Sequence, residues 1–283
     1  MVHDPAAWSP TSLDEAYELL AERGSEATII AGGTDLMVAL NSRSLDAGEF
    51  IDIWRLDELR GVSDEGETVR IGSLTTYTQL IKSPLIQQNL PSLVESSRTI
   101  GAIQIQNRGT LGGNIVNASP AGDSLPVLAA FDAELEIGSV RGVRRVEFNR
   151  FYTGYRKTVM KPDEILLAVR TRKLKPNERS FFLKVGARRA QAISKIVMAV
   201  NVSTTGAVIN SINIALGSVA PTVMRAVETE SLLTNENLDP TNIERARRTI
   251  SQEIAPITDV RSTEHYRRTV AGNAIAKILH RLM

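Results

Sequence analysis

The stretch "AGGTDL", residues 31–36, follows the apolar run "ATII" (27–30) and precedes further apolar residues. Two glycines, a threonine and an aspartate at the end of a buried strand admit two readings. In one, Gly32 and Gly33 turn the chain and Asp35 caps a short helix. In the other, the turn lets a ligand touch the backbone, because glycine puts no side chain between ligand and amide. Upstream, "SLDEAYELLAER" (12–23) sets Ser12 and Glu15 in capping-box spacing and puts Leu13, Ala16 and Leu20 on one helical face. Downstream, a helical turn around Leu36 to Leu40 leads to a second strand, "FIDIW" (50–54). Residues 1 to about 55 thus read as a small βαββ-like unit with the glycine turn at the carboxyl end of its first strand.

A new pattern begins at Gly61, with short strands "GVSD" and "TVRIGS" and polar helices around Tyr77 to Ile81 and Pro91 to Arg98. It carries a second glycine cluster, "RGTLGGNIVNASPAGD" (108–123), in which four glycines, two asparagines, a threonine, a serine and an aspartate precede an apolar helix starting near Asp123. Backbone amides, hydroxyls and side-chain amides together suit an anion such as phosphate. The plain alternative is a tight pair of turns capped by Asp123. Neither cluster is a G-x-G-x-x-G fingerprint and no G-x-x-x-x-G-K-[ST] occurs, so any nucleotide cradle here is of another kind.

Strands "AELEIGS", "RRVEF" and "DEILLAVRTRK" follow, and charge and Pro176 mark a boundary. Beyond it, "SFFLKVGARR", "IVMAVNVST" and "SINIALGSVA" read as long strands before three helices, the last from Thr263 to Leu282 with Tyr266, Val270, Ile278 and Leu282 on one period. Strands followed by helices predict a separate α+β domain over residues 176–283. The first domain, 1–175, divides into parts of about 1–57 and 58–175.

At 283 residues, with 42% hydrophobic and 23% charged residues and a formal net charge of +1, the chain has the composition of a globular protein with no bias toward nucleic acid or anionic membrane. The start, "MVHDPAAWSP", has no signal-peptide pattern, no apolar run approaches the length of a membrane span, and a cytoplasmic location is expected. The absence of cysteine excludes disulfides, thiol nucleophiles and cysteine-ligated clusters within the chain. His3, His265 and His280 are too scattered to suggest a metal site. Redox or group-transfer chemistry here calls for an organic cofactor.

The ordered set "AGGTDL", "TIGAIQIQNRGTLGGNIVNASPAGD", "DEILLAV" and "FFLKVGARRAQAISKI" resembles the FAD-binding medium subunits of the molybdenum hydroxylases, the family of xanthine dehydrogenase and carbon monoxide dehydrogenase. The resemblance runs down to the final helix, "STEHYRRTVAGNAIAKIL". It implies an α+β fold: a two-part FAD-binding domain of the vanillyl-alcohol-oxidase type, then a smaller α+β domain of antiparallel strands and helices. It also implies FAD held between the two parts, and with neither a cysteine nor a suitably placed histidine near the glycine loops the attachment is expected to be noncovalent. Ala31, Gly32, Gly33, Thr34, Asp35 and Leu36, with Thr110, Gly112, Gly113 and Asn114, would surround the pyrophosphate. Asp123 would hold an adenosine ribose hydroxyl, Ile100 and Leu166 would wall the adenine, and Val116 and Asn117 would approach the isoalloxazine. Lys184 matches a lysine that reaches the flavin. Its plain alternative is a solvated strand lysine beside Phe182 and Val185.

The implied partners are a small subunit with two 2Fe-2S clusters and a large molybdopterin subunit, as a dimer of heterotrimers, with this chain passing electrons to an external acceptor. A stand-alone FAD-dependent reductase or oxidase of the same fold is the competing reading, and a non-catalytic nucleotide-binding adaptor a third. Arg188 and Arg189, the group Arg141, Arg144 and Arg145, and "RTRK" read as solvated faces or subunit contacts. Trp8 and Trp54 read as packing residues, and Asp57 with Glu58 has no surroundings that suggest acid–base work. After "KVGARR" the chain has "AQAIS", where some relatives carry an aromatic residue over the flavin.

Overall fold

A computed structural model describes residues 6–45, 48–188 and 191–283. The amino-terminal part is a three-stranded parallel sheet in the order β1-β3-β2, built from β1 (Ala7–Trp8), β2 (Ala27–Ile30) and β3 (Glu49–Asp52). Helix α1 (Leu13–Arg23) buries Ala16 and Leu20 against Ile51, Leu56 and Leu59. Ser12 caps it by accepting from the Glu15 amide, but Glu15 reaches back to Thr11 rather than to Ser12. Helix α2 (Leu36–Asn41) lies between β2 and β3, and the short β1 adds a strand absent from the βαββ-like expectation. Two residues of strand carry too little periodicity to be read from sequence.

Next comes a five-stranded antiparallel sheet, order β4-β5-β10-β6-β7, from β4 (Val62–Glu65), β5 (Thr68–Gly72), β6 (Glu134–Ser139), β7 (Gly142–Glu147) and β10 (Ile165–Arg172). A chain of short helices separates β5 from β6: α3 (Tyr77–Lys82), α4 (Pro84–Asn89), α5 (Pro91–Arg98), α6 (Ile103–Arg108), α7 (Leu111–Asn117) and α8 (Leu125–Ala130). Of these, α3, α5 and α8 are the helices expected from the sequence. Half of the glycine-rich segment is itself helical; glycine inside α7 costs about 1 kcal/mol in propensity but lets the helix approach its neighbours closely. A small hairpin, β8 (Tyr152–Gly154) with β9 (Lys157–Thr158), completes this region.

The carboxyl-terminal part is an antiparallel sheet, β11-β12-β13-β14, from β11 (Glu178–Val185), β12 (Ile196–Thr205), β13 (Val208–Gly217) and β14 (Met224–Arg225). Its residues Ile196, Met198, Val200 and Val202 share a core with the helices α9 (Val227–Leu233), α10 (Pro240–Glu253) and α11 (Glu264–His280). The fold is the expected mixed one, a two-part α/β arrangement followed by antiparallel strands and then helices. Of the expected face of α11, Ile278 is buried and Val270 and Leu282 pack against the same core, together with Ala271, Gly272, Ala274 and Ile275, while Tyr266 is exposed beneath Lys195 Nζ. Gly272 explains the choice: a Cβ there would stand 2.7 Å from the Arg247 carbonyl of α10, so the helices meet along the small residues. Among the described residues no helix is long and apolar enough to cross a membrane.

Candidate functional site

A cleft of about 510 Å³ opens between the β2–α2 turn and the α6–α7 segment, within the size range of small-molecule sites. All of the expected site residues line it except Asp123 and Lys184: Ala31 through Leu36, Ile100, Thr110, Gly112, Gly113, Asn114, Val116, Asn117 and Leu166. The second glycine cluster is held in the cleft by docking on the segment after β5, where its amides donate to Ser73 O and Thr75 O.

The two loops are built differently. In the first, the amides of Gly32, Gly33, Thr34 and Asp35 donate to no acceptor among the described residues. Gly33 has φ +73°, a left-handed conformation that side chains resist. Asp35 occupies the N-cap position of α2 but makes no capping bond with its side chain, so the plain capping reading lacks its hydrogen bond. In the second loop the amides are engaged. Leu111 donates to Thr75 O at 3.0 Å, Gly112 to Ser73 O at 2.9 Å, Gly113 to Thr110 Oγ1 at 3.0 Å and Asn114 to Thr110 O at 3.1 Å. A Cβ on Gly112 would lie 2.7 Å from Ser73 O. A Cβ on Gly32 would collide with the carbonyl of Arg108, so Gly32 marks the line where the loops mate.

Helix α7 contributes side chains. Asn114 Oδ1 accepts from Ser124 Oγ at 2.8 Å, and Asn117 Oδ1 accepts from Arg156 Nη1 at 2.9 Å. Arg156 comes from the β8–β9 hairpin, which Tyr152 Oη also ties to α7 through the Ile115 carbonyl at 3.0 Å. Arg156 and Asp35 are the cation and the anion among the described residues lining the cleft. Sequence reasoning missed Arg156, and nothing in "GYRK" marks one basic residue above its neighbour. In the cleft lining the buried Ser73 Oγ has no hydrogen-bond partner among the described residues, and burial pushes the Tyr77 hydroxyl above the ordinary phenol range.

Asp123 and Lys184 form a buried ion pair, Oδ2 to Nζ 2.5 Å, with Lys184 also donating to Thr99 O at 3.1 Å and Ser194 donating to the other Asp123 oxygen. Burial raises the Asp123 carboxyl above its ordinary value, against the opposing pull of the Lys184 charge. The expectation put Asp123 at the adenosine ribose and Lys184 at the flavin. The structure joins these two residues directly and sets Lys184 beside Thr99, and neither of them lines the cleft. Sequence order gave no warning, because β11 belongs to another sheet and only tertiary packing brings it here.

The remaining conspicuous residues are mostly paired. Arg144 binds Glu164 at 2.8 Å, Arg141 binds Asp163, Arg145 approaches Glu134 at 3.5 Å, and Arg170 lies 3.1 Å from Glu136. Trp54 carries the guanidinium groups of Arg108 and Arg60 at 3.8 and 4.4 Å from its ring centroid, and Trp8 carries that of Arg23 at 4.6 Å. Asp57 pairs with Arg60 at 3.4 Å. Arg188 donates to Gln191 O, whereas Arg189 and Ala190, the first residue of "AQAIS", lie outside the described residues. Among the described residues no cluster of three metal-ligating side chains occurs.

Unengaged amides, a left-handed glycine, a buried unpaired serine hydroxyl and side-chain amides around one cleft are features of a site for a phosphate-bearing organic cofactor. Comparison with known proteins specifies it. Residues 4–171 match the family described as the FAD binding domain in molybdopterin dehydrogenase, and residues 181–282 match the CO dehydrogenase flavoprotein C-terminal domain. The chain belongs to the FAD-binding subunits of the molybdenum hydroxylase family, oxidoreductase components of the xanthine and carbon monoxide dehydrogenase type. It is 34% identical over 270 residues to the xanthine dehydrogenase FAD-binding subunit of Escherichia coli O157:H7, covering 95% of this chain and 92% of that one. It is 30% identical over 272 residues to the carbon monoxide dehydrogenase medium chain of Hydrogenophaga pseudoflava, covering 96% and 94%. Its fold superimposes on a solved carbon monoxide dehydrogenase from Hydrogenophaga pseudoflava, one lacking the Mo-pyranopterin moiety, with a TM-score of 0.94 at 30% identity, over 98% of this chain and 96% of that one.

Proposed function

We propose that this chain is the electron-output flavoprotein of a three-part molybdenum hydroxylase, taking electrons from 2Fe-2S clusters in a small partner subunit and passing them to an external acceptor. A large partner would hold molybdopterin and select the substrate, and the assembly would be a dimer of heterotrimers. The observation that carries this reading is the asymmetry of the cleft: four adjacent amides, Gly32 to Asp35, without acceptors among the described residues, in a chain with no cysteine to hold a cluster of its own. Those amides, with Thr34, would receive the doubly charged diphosphate. Ile100, Val116 and Leu166 would wall the rings, and Asn114 and Asn117 would supply donors. Asp123 and Lys184 would act as a pair. Bound FAD supplies the ability to accept and release electrons singly, and the protein binds it, orients it and keeps it near partners.

The expected outcome is a yellow purified chain whose colour leaves on acid precipitation and proves to be FAD. Dithionite should bleach it in the isolated chain, while reduction by an aldehyde, purine or carbon monoxide should require the two partner subunits. Colour retained in the washed pellet, or substrate oxidation by the chain alone, would refute the proposal.

A further inference from the structure

Asn114 and Asn117 stand three residues apart on α7, on one side of the helix, and both line the cleft. A side-chain amide carries an acceptor at one edge and donors at the other, so the edge the protein occupies decides what the free edge offers. For Asn117 the assignment follows from chemistry. Arg156 Nη1 lies 2.9 Å from its Oδ1, and a guanidinium only donates, so the carbonyl edge faces Arg156 and the NH2 edge faces away. For Asn114, Ser124 Oγ donates to Oδ1, and the same oxygen packs over Gly122, where a Cβ would stand 3.1 Å away. Neither Nδ2 has a hydrogen-bond partner among the described residues.

We propose that Arg156 is a positioning residue that locks the Asn117 amide in one orientation, so that this part of the α7 wall offers the cofactor donors and no amide acceptor. The proposal rests on the cleft holding FAD, whose diphosphate, ribityl and ring carbonyl oxygens are acceptors. The hairpin is built to hold Arg156 still. Tyr152 Oη anchors it to α7, and Arg156 sits at φ +53°, as Ala118 just beyond Asn117 sits at φ +51°, strained positions for residues with side chains. An asparagine without such a neighbour turns its amide over freely and presents the wrong edge part of the time.

The test is FAD titration of flavin-free protein. Arg156→Met should weaken binding by about two- to tenfold, the range of one neutral hydrogen bond. Arg156→Lys, which still donates, should recover most of it. Asn117→Asp should cost roughly tenfold or more, because Arg156 would then hold a carboxylate whose other oxygen faces an anionic ligand. The deciding measurement is a double-mutant cycle. In an Asn117→Ala background, Arg156→Met should have no further effect on FAD affinity, whatever it does to the unfolding midpoint of the flavin-free protein. A loss that persists in that background would mean that the arginine meets the cofactor itself, and would overturn the proposal. So would an Arg156→Met chain of unchanged affinity. Failure of the wild-type chain to take up FAD would instead overturn the functional reading beneath it.

Discussion

The two glycine loops face the same cleft and commit their backbones to different partners. In residues 31–36 the amides of four successive residues have no acceptor among the described residues, and the glycine at position 33 holds a left-handed turn. In residues 109–114 the amides close bonds to Ser73, Thr75 and Thr110, and Gly112 is small because Ser73 lies against it. Similar composition thus serves two ends. The first loop is a donor surface, and the second is scaffolding that sets α7 and its asparagines against that surface. Unpaired amides in a half-buried turn cost free energy until something accepts from them, which is why they mark a ligand site more firmly than glycine content does.

The largest effect is expected where the loops touch. Gly32→Ala drives a methyl into the Arg108 carbonyl, a backbone atom that cannot step aside. It should lower stability by about 1–3 kcal/mol, as overpacking does, and abolish flavin retention. Denaturant unfolding and the flavin content of the purified chain measure the two. A Gly32→Ala protein with wild-type values in both would show that the loops do not depend on one another.

Gly33 and Gly112 separate the roles. Gly33→Val places a branched residue at φ +73° with only ordinary contacts nearby, so the turn relaxes and the amides swing away. FAD affinity should fall roughly tenfold or more for a modest stability loss of about 1–2 kcal/mol. Gly112→Ala, pressed on Ser73, should show the reverse: a comparable or larger stability loss, with the folded fraction binding FAD within about threefold of wild type. Equal losses of affinity in both variants would erase the contrast.

The smallest effect belongs to the second loop's cap. Thr110→Val removes the acceptor for the Gly113 amide and should cost about 0.5–2 kcal/mol of stability. Its FAD affinity should stay nearly unchanged. A tenfold loss of affinity would show Thr110 to be a ligand contact and the second loop more than scaffolding.

By itself the sequence determined the order of strands and the longer helices, because alternation and a 3.6-residue period are local consequences of burying one face. The four ordered motifs carried the family, and they brought with them the residues that line the cleft. Chemistry by exclusion was also legible, since a chain without cysteine holds no cysteine-ligated cluster. Tertiary structure decided which glycines leave amides free, because that depends on where Ser73, Thr75 and Arg108 stand. It decided that Lys184 meets Asp123, that Gly272 rather than Tyr266 faces α10, and that an unmarked arginine at position 156 turns Asn117. Each of these is a hydrogen bond or a close approach between residues distant in the chain. No periodicity records such a pairing, because the hydrogen-bond capacity of a side chain is written in its type while its partner is chosen by the fold.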